Sequence, residues 1–194
     1  MNKRKISKLL LQKISTLRGS AGYFFRSDFE DLLHGFAVEH VPRGVYIWRF
    51  RFPLCDPFGP NLLYSNRITD RGGFVGNGEL TEEDFVDFVT STHEVHEALN
   101  STREIGVGEF VQFLESTPDL LDNPHARLIY AAALLLNGEE ARSAALLDAK
   151  LDLNEKDDTF RNLLQTQLRS GAVAARKVLD EVRRVNLRSL GLIS

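Results

Sequence analysis

The sequence has almost no cysteine. Cys55 alone cannot build an intramolecular disulfide framework or a multi-cysteine zinc cluster, and it fits a reducing compartment, the cytoplasm. Its acidic neighbour Asp56 disfavours a thiolate, and no Gly-x-Ser-x-Gly elbow occurs, so no catalytic nucleophile is nominated. Long apolar runs are missing too. None approaches the roughly 18 residues that span a bilayer, and Leu9-Leu10-Leu11 stops at Gln12-Lys13, too short for a signal-peptide core. Phosphate-binding fingerprints are also lacking. The glycine-rich residues 71–78 match neither the P-loop nor the dinucleotide pattern, and Glu79, Glu82, Glu83 and Asp84 would repel an anion. That stretch reads as a mobile loop, and no cofactor is expected.

What is present is a folded composition with a polarised charge. Hydrophobic residues make up 43% of the 194, enough for one sizeable core or two small lobes. The net charge of −3 conceals two opposed segments. Residues 1–18 carry Lys3, Arg4, Lys5, Lys8, Lys13 and Arg18 and no acid, whereas residues 81–123 hold eleven acids against Arg103 alone. A nucleic-acid binder concentrates bases on its body rather than acids, so nucleic acid is not the expected partner. A basic protein is. Ile6, Leu9, Leu10, Ile14 and Leu17 follow helical spacing, so the basic N-terminus reads as an amphipathic helix docked on the body rather than on a membrane.

The chain reads as α+β. After Gly19-Ser20-Ala21-Gly22, Ser27 or Asp28 is expected to cap a short helix that ends at His34-Gly35. Residues 36–41, 45–54 and 62–68 then read as a small antiparallel sheet. In the middle strand Tyr46, Trp48, Phe50 and Phe52 point one way and Val45, Ile47, Arg49 and Arg51 the other. The aromatic row is expected under helices, with Arg49 and Arg51 on the open side as a candidate anion site or as ion-pair partners for Glu39.

Thr81 with Glu82, Glu83 and Asp84 is close to a capping box, and one helix is expected to about Leu99. Its apolar stripe leaves Glu83, Asp87, Glu94 and Glu97 on the outer side, as candidate residues for a basic partner. His93 and His96 could share a metal ion at i, i+3 spacing, which keeps a metal-dependent hydrolase as an alternative. The pattern is not that of the zincins, and His96 falls on the core stripe, where a structural histidine is the ordinary outcome.

From Arg103 onward the sequence is helical, giving an α+β lobe over 1–100 and a helical lobe over 104–194, or one continuous unit. Asn123-Pro124 opens a helix that is apolar nearly all round; with the next helix, past the break at Gly138, it makes one pair, and residues 157–170 and 171–190, broken at Gly171, make a second. Those glycines are 33 residues apart, and Leu135, Ala141 and Leu146 recur as Leu168, Ala174 and Leu179. This spacing resembles tetratricopeptide-type repeats, which implies an adaptor, although a plain helical bundle gives the same helices. The stretch His34-Gly35-Phe36 with the Val45-Tyr46-Ile47-Trp48 hairpin and Pro53-Leu54 is similar to small bacterial toxin-immunity proteins. That resemblance covers residues 27–68 and implies a non-catalytic immunity or inhibitor protein.

Overall fold

A computed structural model describes residues 1–26, 29–100 and 106–193. The fold is α+β, and the chain divides into two compact units. The first comprises Met1–Phe52 with Tyr64–Glu104, and the second comprises Pro53–Leu63 with Ile105–Ser194. The second unit thus takes in residues 53–63 as well as those from Ile105 onward.

In the first unit, helix α1 (Lys3–Lys13) is followed by strands β1 (Leu17–Ser20), β2 (Tyr23–Arg26), β3 (Leu32–Val41), β4 (Gly44–Pro53), β5 (Asn66–Arg67) and β6 (Phe74–Gly76). The sheet order is β1-β2-β3-β4-β5, with β6 also pairing β4. Several stretches differ from the sequence reading, among them the strand expected over 62–68, of which only Asn66–Arg67 forms. Residues 17–26 form the β1–β2 hairpin, turning on Ala21 (φ 51°) and Gly22 (φ 94°). The expected cap at Ser27 or Asp28 lies outside the described residues, but the short helix it was to open is not formed: residues 29–31 are not helical, and Leu32 to Gly35 already belong to β3, where Gly35 pairs with Phe25. The glycine-rich segment is not a free loop: Arg71, Gly72 and Gly73 take positive φ to make a tight turn, and residues 74–76 then pair with Gly44–Tyr46. Gly44 permits this, because a Cβ there would lie 2.2 Å from the Val75 carbonyl oxygen.

Helices α2 (Glu82–Ser91) and α3 (His93–Asn100) complete this unit. A single helix over 81–99 is not formed. Thr92 is extended (φ −65°, ψ 142°), and its carbonyl starts α3 by accepting from the His96 N–H. The break resets the helical phase, so Val95 and Ala98 turn inward while His96 is exposed, contrary to the core position expected for it. The core joins Ile6 and Leu10 of α1, Phe85, Val86 and Val89 of α2 and Val95 of α3 to Phe36, Val38, Val45 and Ile47 of the sheet. The helices therefore cover the Val45–Ile47 face of β4. This inverts the expected orientation: the aromatic row faces away from them, and Arg49 and Arg51 lie on the helix side.

On the aromatic face, Phe50 and Phe52 are fully buried, and the Phe50 ring packs 4.6 Å from Tyr23 and 6.5 Å from Phe52. Trp48 is only half-buried.

The second unit carries α4 (Val107–Ser116), a 3₁₀ turn (Pro118–Asp122), α5 (Pro124–Leu136), α6 (Glu140–Asp148), α7 (Glu155–Ser170) and α8 (Ala172–Ser189). Helix α5 is central, buried on most sides and packed by α4, α6, α7 and α8. Asn123 caps it, accepting from the His125 and Ala126 N–H groups, with Pro124 at the first position. Gly138 (φ 85°) and Gly171 (φ 129°) stand at the breaks of the two helix pairs. The buried positions recur at 32 residues: Leu128 with Phe160, Ala132 with Leu164, Ser143 with Ala175 and Leu147 with Leu179. Residues 53–63 are held to these helices by Asn186, which is buried and donates to the Leu54 and Asp56 carbonyls, both at 2.8 Å.

These burials set an expected order of stabilities. Phe50→Ala should cost about 3–5 kcal/mol by denaturant unfolding, and the half-exposed Trp48→Ala clearly less. Equal losses would contradict the assignment of faces.

Candidate functional site

The aromatic face of β4 continues onto its neighbours as a platform. Phe74 of β6 pairs with Tyr46, and their rings lie 4.8 Å apart. Arg67 of β5 pairs with Trp48, and its exposed guanidinium lies over both Tyr46 and Trp48, 4.0 Å and 4.9 Å from the ring centroids. Trp48 Nε1–H donates to Glu39 on β3 at 3.0 Å, which fixes the indole in its plane. Tyr46, Trp48 and Phe74 remain half-buried, so solvent reaches a surface of three rings and one flat cation. Sequence reasoning saw the aromatic alternation but did not place Arg67 and Phe74 beside it. The alternation cannot report their placement, because it depends on how β5 and β6 share one edge of β4.

The four acids expected to take a basic partner each have a partner in the chain. Lys5 of α1 pairs with Glu83 at 3.0 Å and with Glu82 at 3.3 Å, and Lys13 pairs with Asp87. The ammonium of Lys5 holds the Glu83 carboxyl below its usual range. Glu94 accepts from the Thr69 hydroxyl and backbone N–H, which lowers its pKa in the same way. Glu97 pairs with Arg49 at 3.2 Å. The basic N-terminus and the acidic helix of the sequence are thus two sides of one intramolecular contact. Such exposed pairs contribute little each, and Glu94 is met by the neutral Thr69 rather than by a base.

Arg49 and Arg51 lie under the helix layer, where Arg51 also donates to Asn66 at 3.3 Å. With them on that face is His34 of β3, 6% exposed. Burial first, and then the charges of Arg49 and Arg51, pull its pKa down to about 3, so the ring is neutral. Arginine stems tolerate this position because they are apolar while the guanidinium reaches Glu97.

His93 and His96 are both exposed on α3, and among the described residues no three His, Cys, Asp or Glu side chains converge as metal ligands. The histidine with the most organised surroundings is His125, in the second unit. Its Nδ1 lies 2.7 Å from Asp157 and its Nε2 3.0 Å from Asp56, and both carboxylates are buried. Burial opposes the charged ring, but hydrogen bonds and charge from Asp56 and Asp157 together outweigh it, so the pKa lies above the ordinary histidine value. Asp56 also accepts from the Phe58 N–H and the Asn61 amide. Both ring nitrogens of His125 are engaged by carboxylates, so the cluster ties Asp56, in residues 53–63, to α5 and α7. Cys55, next to Asp56 in the sequence, is buried.

Comparison with known proteins finds no matching family model, no similar curated protein and no similar solved structure.

The buried His34 and the half-buried His125 give opposite pH dependences. The lowered pKa of His34 supplies stability that is present above about pH 6.5 and lost as pH falls toward 3, with a slope approaching about 1.4 kcal/mol per pH unit. The raised pKa of His125 supplies stability that is full below its unfolded value and lost as pH rises through the folded one. Unfolding free energies across pH 4–9 should therefore flatten at the acid end in His34→Gln and at the alkaline end in His125→Gln. Parallel pH profiles for wild type and variants would contradict both assignments.

Proposed function

We propose that this chain is a non-catalytic protein-binding protein and that the Tyr46, Trp48, Phe74 and Arg67 platform is its binding surface. The single observation that carries the reading is the composition of that patch. Rigid aromatic rings with an arginine across them are the side chains that dominate binding energies at protein interfaces. They present large contact areas and lose little conformational freedom when a partner arrives. An immunity or inhibitor role is the most concrete form, with a toxin as the bound protein; it rests on the resemblance of residues 27–68. A basic partner at Glu83 and Asp87 would first have to displace Lys5 and Lys13.

A second reading places binding in the helical unit. A groove of about 740 Å³ runs along the α7–α8 junction, lined by Gln167, Val173, Ala174, Lys177, Val178 and Glu181, with Val173 68% exposed. An adaptor would hold a peptide there.

Pull-down from the source organism separates the two. A protein retained by the wild type should be lost by Tyr46→Ser/Phe74→Ser and kept by Val173→Ser/Val178→Ser. Adding it in purified form should shift the emission of Trp48, the only tryptophan. Retention by the platform variant, with loss by the groove variant, would reverse the assignment.

A further inference from the structure

We infer that the platform recognises a carboxylate, carried beside an apolar side chain on an acidic peptide segment, and that the guanidinium edge of Arg67 is what receives it. This rests on the platform being the binding surface and adds the chemistry of its partner. Arg71 and Arg142 also lie over aromatic rings. Arg71 lies over Phe88 at 5.4 Å and bonds Glu79 at 3.4 Å; Arg142 lies over Tyr130 at 5.8 Å and bonds Glu115 at 2.7 Å. Both guanidiniums are met by a carboxylate of the chain, and Arg142 also donates to the Tyr130 hydroxyl.

Arg67 has the closest ring contacts of the three, at 4.0 Å and 4.9 Å, and is exposed, yet no carboxylate among the described residues bonds it. The nearby acid on this face, Glu39, is engaged by the Trp48 N–H. Lying over two rings, the guanidinium keeps its fork of N–H donors for a ligand, and a carboxylate matches that fork in a bidentate way. Tyr46 and Phe74 alongside supply an apolar seat next to the charge. A nucleic-acid strand could also use rings and an arginine. One cation beside Glu39, in a chain of net charge −3, lacks the run of bases that a polyanion needs.

The test is a display library of random 16-residue peptides selected on the full chain, with enriched peptides then measured singly by anisotropy and Trp48 emission. Enriched peptides should carry Asp or Glu near an apolar residue. Arg67→Gln should weaken them about tenfold or more, the size expected when a charged hydrogen bond is removed. Replacing the peptide acid by its amide should do the same, and the two changes together should weaken binding no further than either alone. Arg67→Lys should not restore affinity, because the planar fork is lost.

Peptides without acids, or acids whose effect adds independently to that of Arg67→Gln, would overturn the carboxylate. If Tyr46→Ser weakens binding while Arg67→Gln does not, the platform stands and its ligand chemistry falls. If neither variant matters, or no peptide is enriched, both fall. Arg67-dependent binding of oligouridylate, with none of acidic peptides, would replace the carboxylate by a phosphate backbone.

Discussion

The pleat of β4 governs what the first unit can do. This strand is paired on both edges, with β3 on one and β5 and β6 on the other, so it cannot rotate to hide either face. One row of its side chains, Val45 and Ile47, belongs to the core beneath α1, α2 and α3. The other row is then committed to the opposite face, where Tyr46 and Trp48 meet Phe74 and Arg67. A one-residue slip in β4 would exchange these roles, placing arginine and tryptophan in each other's environments. The Gly44 contact with the Val75 carbonyl helps hold the register, since a side chain at that position would push β6 away.

Charge is organised by the same packing. A sequence with a basic head and an acidic middle suggests a surface awaiting an opposite partner, yet α1 lies on α2 and the two segments answer each other through Lys5, Lys13, Glu82, Glu83 and Asp87. The apolar contacts of Ile6 and Leu10 make that docking firm, and the ion pairs follow from it at little energy of their own. The second unit uses charge differently. His125 sits between two buried carboxylates, a geometry in which removal of any one member leaves an unpaired group in a poor solvent.

Much of the architecture was legible in the sequence. The α+β class, the strong β4 strand, the Asn123-Pro124 helix start and the two helix pairs followed from alternation, capping chemistry and glycine punctuation. The face of β4 was not. Arginines were assigned to solvent and aromatics to the core, whereas small aliphatics line the helix layer and Arg49 reaches Glu97 beneath it. The break at Thr92 was equally invisible, because the apolar spacing on its two sides mimics one continuous helix. That error placed His96 inward. The platform itself needed long-range information: Arg67 meets Trp48 only because a two-residue strand, 19 residues further along the chain, pairs with β4. Local pattern carries no trace of such a pairing. Nor does it reveal that His125 closes on Asp56, 69 residues away, or on Asp157, 32 residues away.

Hydroxyl-radical footprinting of the full chain with and without its bound partner bears most directly on the central claim, because oxidation reports side chains and aromatic rings react fast. The account predicts that Tyr46, Trp48 and Phe74 become protected in the complex while the exposed residues of α1 and α2 keep their free reactivity. Unchanged oxidation of those three rings, with protection appearing along α1 and α2 or at the α7–α8 groove, would contradict it.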